Sequence, residues 1–229
     1  MTETIDLPDG RTVALDESTR DRVLGGVVVL EGVQVRDEPR IWDEIETVST
    51  GYREQYAGMA PSTIAPLTEA RDLYKSFGMD PSRHRPSSEA LLRRVLAGKG
   101  LYRLNNAVDT CNLASLTFLL PIGMYDLDRV EGDVVLRAGR EGEQYEGIRK
   151  GPVHLAGRLG LFDRRGGFGS PTSDSARTRV REDTRRVLAV IMATARYDRR
   201  QMQRHAARLA TLFEGHCEAT TTFTGLLGA

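Results

Sequence analysis

Residues 85–135 read RPSSEALLRRVLAGKGLYRLNNAVDTCNLASLTFLLPIGMYDLDRVEGDVV, a run that passes from helix to helix to strand within a short span. Ser87 or Ser88, just after Pro86, is placed to cap the free N–H groups of a first helix. Leu91, Leu92, Val95 and Leu96 recur at i, i+1, i+4 and i+5 and make one apolar stripe. Gly98 and Gly100 end that helix, and Leu101–Leu104 is expected to be a short extended link. Asn105 or Asn106 caps a second helix whose inward face is Val108, Cys111, Ser115, Leu116 and Leu119. Pro121 stops it, and Tyr125-Asp126-Leu127-Asp128 leads into a strand.

Asn112 is the odd residue on that inward face, with Asp109 one turn earlier on the same side. A buried amide costs free energy unless its groups are paired. The general expectation is an internal staple that holds the Pro121 turn or a neighbouring strand. The alternative is a pocket residue that holds a polar group of a ligand.

Outward from this stretch, Thr4–Leu7 and Arg11–Leu15 flank Pro8-Asp9-Gly10 as a hairpin. Val27–Leu30 through Val33–Val35 reads as a buried strand broken at Gly32. Residues 38–57 and 64–77 read as amphipathic helices, with Trp42 expected in the core. On the other side, Asp133–Ala138 begins a strand, and Gln144–Ile148 pairs with Val153–Ala156, which makes His154 structural. Val187–Ile191 is a continuous apolar run, expected as a central strand. Residues 197–213 form a last helix with Arg199, Arg200, Arg204 and Arg208 outside, and the tail from Ala219 is expected to be loose.

The 229 residues are 40% hydrophobic and 28% charged with no net charge, which allows one ordinary globular domain and argues neither for nor against a nucleic-acid partner. Two cysteines, Cys111 and Cys217, make no disulfide framework and suggest a reduced, cytoplasmic compartment. No apolar run reaches membrane-spanning length, and the first residues carry no signal-peptide pattern. Neither metal-ligand spacing nor a phosphate-binding loop nor a Gly-x-Ser-x-Gly elbow occurs, so no cofactor or metal is expected.

The ordered pieces of the opening stretch resemble the B3/B4 domain of the phenylalanyl-tRNA synthetase β subunit, and free-standing proteins built from that domain. They are Pro86-Ser87 with Leu91 and Arg94, then Gly100, Asn105-Asn106-Ala107-Val108-Asp109 with Asn112, and the turn Pro121–Asp128. The close match covers about fifty residues and continues more weakly to about residue 195. The resemblance implies an α+β, three-layer domain with a β-sandwich-like core flanked by helices. It would fill 1–229: N-terminal strands and a helix over 1–60, the core motif region over 61–195, and a C-terminal helix and loose tail over 196–229. In the synthetase this domain hydrolyses mischarged tyrosyl-tRNA. Asn112 matches a pocket Asn, whereas the family's pocket His falls on Gly123. That change is expected to enlarge the pocket or alter its polarity, and to move the preference away from tyrosine.

On this resemblance the expected function is trans-editing: deacylation of mischarged aminoacyl-tRNA by a chain that is not a complete ligase. Asn112 and Gly123 are the expected catalytic positions. Asp109, Met124, Tyr125, Ser173, Asp174 and Arg177 are the expected substrate contacts, the last three from a Pro-Thr-Ser-Asp-Ser-x-Arg-Thr loop. A basic run, Arg83, His84, Arg85, Arg93, Arg94, Lys99 and Arg103, is expected to hold phosphates of the tRNA acceptor end. Two other readings stay open, a non-catalytic tRNA-binding module and a pocket for a free amino acid.

Overall fold

The computed structural model describes residues 3–148 and 151–228. In chain order the elements are β1 (Thr4–Asp6), β2 (Thr12–Leu15), β3 (Val23–Glu31), α1 (Ile41–Gln55), α2 (Thr68–Ser76), α3 (Ser87–Leu96), α4 (Asn106–Phe118), β4 (Ile122–Asp126), β5 (Val134–Ala138), β6 (Gln144–Glu146), β7 (Pro152–His154), β8 (Leu159–Asp163), β9 (Gly166–Gly169), β10 (Val187–Thr194), α5 (Arg199–Cys217) and β11 (Thr220–Leu227).

The centre is a four-stranded antiparallel sheet in the order β11-β3-β10-β4. It is buried on both faces, which is why β3 and β10 read as unbroken apolar runs. Side chains alternate across a strand. Val187, Ala189, Ile191 and Ala193 therefore pack toward the helices together with Leu113, Ala114, Leu209 and Phe213. Leu188, Val190 and Met192 point the other way, onto Val13, Val134, Leu136 and Leu161. Those last residues belong to a second sheet, β1-β2-β5-β8-β9, in which only the β2–β5 pair is parallel. The fold is thus helices on a sheet on a sheet, an α+β three-layer domain as expected, with β6 and β7 a separate two-stranded ribbon. Residues 149–150, which lie between β6 and β7 in the sequence, are outside the described residues.

Several local expectations are corrected. The tail is not loose: Thr220–Leu227 is β11, paired along β3. Its exposed threonines hide the strand signal, because only alternate residues are covered at this edge. The helix expected over 64–77 is helical only over Thr68–Ser76, since Pro61 and Pro66 support 3₁₀ turns before it. The last helix starts at Arg199, where the Asp198 carboxylate accepts from Gln201 N, and runs on to Cys217. Val33–Val35 is not a strand; Val33 N and Gln34 N donate to the Arg185 and Cys217 carbonyls instead. Neither Ser87 nor Ser88 caps α3, and Ser88 Oγ is buried without a partner. Among the described residues no helix is long and apolar enough to cross a membrane.

The internal staple of the structure is Asn106. Its Nδ2 donates to Gln34 O at 2.7 Å and His216 O at 2.8 Å, and its Oδ1 accepts from Arg36 N at 2.8 Å. One fully buried amide therefore joins the start of α4, the loop after β3 and the end of α5. Its neighbour Asn105 caps α4, accepting from Val108 N at 3.0 Å. Replacing Asn106 by Ala strands two carbonyls and an N–H in the interior, and is expected to cost about 2–4 kcal/mol. Asn105→Ala is expected to cost about 1 kcal/mol. Urea unfolding of the two variants checks this order.

Candidate functional site

The neighbouring turn of α4 faces outward into a cleft of about 1140 Å³. Asn105, Val108, Asn112 and Ser115 lie one above another along it, the i, i+3, i+7, i+10 stripe of a helix. Ile122 and Met124 of β4 form the floor, and Cys111 lies beside them. The facing wall is β7, the Ser170–Asp174 turn and the segment 179–183. Of the face read from the sequence as inward, Val108, Cys111 and Ser115 line the cleft, whereas Leu116 and Leu119 are buried in the core as expected and Ala107, Leu113, Ala114 and Phe118 add a further core contact.

Asn112 is no staple: among the described residues its side-chain amide bonds to no protein group, and it lines the cleft. Met124, Ser173 and Asp174 line the same space. Asp109 does not. Its buried carboxylate accepts from Leu104 N at 3.2 Å, and burial lifts its pKa to about 6 although that N–H pulls it down. Arg177 is engaged elsewhere, bonding both oxygens of the buried Asp163 at 2.8 and 2.9 Å.

Gly123 and Tyr125 sit on the opposite face of β4, which the alternation of a strand requires once Ile122 and Met124 face the cleft. The expectation that glycine at 123 enlarges the pocket is therefore corrected. A Cβ at Gly123 or at Gly169 would overlap the Tyr125 hydroxyl, so the two glycines make the slot that this side chain fills. The Tyr125 ring stacks edge-on against Phe168, with centroids 4.9 Å apart, and is fully buried.

The Tyr125 hydroxyl points toward Asp174. Asp174 follows a turn pinned by two other tyrosines: Tyr74 Oη meets Thr172 Oγ1 at 2.7 Å, and Tyr145 Oη meets Ser170 Oγ at 2.9 Å and also donates to Ser173 O. The backbone of Asp174 is bridged to Gly169. Among the described residues its carboxylate has no basic partner. Burial lifts its pKa to about 7, outweighing the Tyr125 hydroxyl and the Met124 N–H that lower it. The Tyr125 contact is loose, since that hydroxyl makes no hydrogen bond of ordinary geometry. Desolvation also holds the Cys111 thiol far above its ordinary range, so it is no thiolate nucleophile at neutral pH.

The mouth is mixed in charge. Arg158, Arg179, Arg181 and His154 share it with Glu182 and Asp183. His154 is exposed here rather than packed, and neither it nor Arg158 was expected at a site. The basic run divides. Arg93 bonds the buried Glu89 at 2.8 Å, which also takes Arg71, and His84 lies 3.4 Å from Arg158. Arg83 is within 3.7 Å of Asp80. Arg85, Arg94, Lys99 and Arg103 meet no carboxylate among the described residues. No cluster of three or more His, Cys, Asp or Glu there is arranged to hold a metal ion.

Residues 69–218 match the B3/4 domain family. The chain belongs to that family. A 65-residue segment is 37% identical to the phenylalanine–tRNA ligase beta subunit of Bifidobacterium longum (strain NCC 2705), covering 28% of this chain and 7% of the ligase subunit. An N-terminal fragment of the phenylalanyl-tRNA synthetase beta subunit from Pyrococcus horikoshii superposes with a TM-score of 0.47 at 15% identity, over 95% of this chain and 54% of the fragment. Every residue that lines the cleft falls inside the matched residues 69–218.

Filling the slot tests this geometry. Gly123→Ala forces the Tyr125 ring to move and is expected to cost about 1–3 kcal/mol, the range for an overpacked interior. Met124→Ala leaves Tyr125 in place and opens the floor of the cleft. Thermal unfolding together with the near-UV tyrosine signal separates the two effects.

Proposed function

We propose that this B3/4 domain is a trans-acting editing hydrolase, cleaving the ester between a mischarged amino acid and the 3′ end of a tRNA. The observation that carries the chemistry is geometric: the carboxyl of Asp174, without a basic partner among the described residues, shares the cleft with the free amide of Asn112, and burial pushes its pKa up to about 7. Family membership and the ligase relative support the substrate class. A general base works best when its pKa lies near the working pH.

In this reading ionised Asp174 takes a proton from a water molecule as the water oxygen attacks the ester carbonyl carbon. The carbonyl electron pair moves onto oxygen, and the Asn112 amide donates to that oxyanion. The tetrahedral intermediate then collapses, the bond from carbon to the ribose oxygen breaks, and protonated Asp174 returns its proton to that oxygen. The products are the free amino acid and uncharged tRNA. An ester needs no protein nucleophile for this, and one well-placed donor is worth about 3 kcal/mol in the transition state. Asn112→Ala is therefore expected to slow the reaction about 100-fold rather than abolish it.

The test is ester loss from a panel of mischarged tRNAs at several pH values. The rate is expected to rise with pH through about 7 and level off above it, because only the ionised carboxylate accepts the proton. Asp174→Asn is expected to remove both the activity and that limb. Tight tRNA binding without ester loss above the spontaneous rate contradicts the hydrolase reading and leaves a non-catalytic tRNA-binding module.

Stability supplies an independent sign. A carboxyl whose pKa rises on folding favours the folded state at low pH, and that advantage is lost between its unfolded pKa near 4 and its folded pKa near 7. The bound on the change is about 4 kcal/mol. Asp174→Asn is expected to be more stable than the wild type at pH 8, with a flatter dependence on pH, by urea unfolding across that range.

A further inference from the structure

Outside the cleft proper, the link between α3 and α4 carries features that neither the core nor the reaction uses. Tyr102 is 58% exposed and Leu104 50% exposed, and Leu104 borders the cleft. Across the mouth, Ile148 is 40% exposed and also borders it. A single exposed apolar side chain is ordinary on a surface; what distinguishes these is that Leu104 and Ile148 both border the cleft and Tyr102 stands beside Leu104 among cations.

Cations accompany these side chains. The Arg94 guanidinium lies 3.8 Å from the centre of the Tyr102 ring and bonds the Gly100 carbonyl at 2.9 Å. Arg103 lies 4.7 Å from the centre of the Trp42 ring. Neither arginine meets a carboxylate among the described residues, and exposed Lys99 and Arg85 are likewise without one. In a chain of zero net charge this is a local excess of positive charge. Two residues of extended chain separate Tyr102 from Leu104, at most about 7 Å.

We propose that this ledge is a binding site for the unpaired 3′-terminal nucleotides of the RNA, with one base stacked on Tyr102. Leu104 and Ile148 guide the terminal residue into the cleft, and Arg94, Lys99 and Arg103 hold the phosphates. Unpaired nucleotides call for this mixture of an open aromatic face and cations that track the backbone. An acidic protein surface would use the cations but not the face of the Tyr102 ring turned away from Arg94. Asp109 secures the ledge by accepting from Leu104 N. The site deepens the editing reading, since it seats the end of the RNA that bears the ester.

The experiment is an anisotropy titration of the whole chain with a fluorescent, unacylated single-stranded RNA ending in CCA. The same RNA annealed to its complement and an acidic peptide serve as comparators. Trp42, the single tryptophan, offers a second signal beside Arg103. Tyr102→Ala is expected to weaken the single strand about tenfold or more, from the usual worth of one stacked base. Tyr102→Trp is expected to bind at least as well as wild type. Arg103→Gln is expected to flatten the salt dependence by about 0.7, one phosphate of a single strand. All three changes lie on an exposed link, so folding is not at stake.

The proposal is overturned if Tyr102→Ala binds within about twofold of wild type, if the duplex binds as tightly as the single strand, or if only the acidic peptide binds. The oligonucleotide carries no ester, so the titration is blind to hydrolysis. A chain that binds it but deacylates nothing contradicts the hydrolase and keeps the ledge. A chain that deacylates tRNA with an unchanged KM in Tyr102→Ala contradicts the ledge and keeps the hydrolase.

Discussion

The cleft floor depends on one steric constraint, the room that Gly123 and Gly169 leave for the side chain of Tyr125. These glycines lie in different sheets, and the tyrosine is packed between them with no exposed surface. Through it β4 is held at a fixed height above β9. The backbone of Asp174 is bridged to Gly169, and its carboxyl meets the Met124 N–H of β4. Its desolvation, and with it a pKa near neutrality, follows from this packing. A larger residue at either glycine would disturb the protonation of a group it never touches.

Much of the architecture was legible because the residues that build it obey one period each. The apolar runs of β3 and β10, the hairpin around Pro8-Asp9-Gly10 and the paired β6 and β7 all follow from alternation or continuous burial. What was missed has physical causes. β11 shows threonines to solvent at a sheet edge, so its signal is half-strength. The helical stripe of α4 marks a face but does not tell a core from a cleft, so Asn112 proves to be the cleft residue of its two readings, and the staple is Asn106, which the sequence offered only as a cap. The parity of β4 was readable: Ile122 and Met124 share one face and Gly123 and Tyr125 the other. The family correspondence at Gly123 obscured it. Asp174 carried no local sign of its pKa, which is raised by the desolvating walls that the fold brings around it against the pull of the Tyr125 hydroxyl.

The charges follow the same division of labour. Arg71 and Arg93 neutralise buried Glu89, and Arg177 neutralises buried Asp163, because a lone interior charge is costly. Arg85, Arg94, Lys99 and Arg103 are left over on one flank of the cleft. Asp174 and Asp109 are two carboxyls with no ion-pair partner among the described residues, Asp109 buried and Asp174 partly buried in the cleft wall, and burial raises the pKa of both.

The most direct test is a carboxyl-carbon NMR titration of Asp174 in the intact chain, assigned with Asp174→Asn. The account predicts an apparent pKa of about 7. A value near the ordinary aspartate pKa of about 3.9 would show a solvated carboxylate and contradict the proposed base.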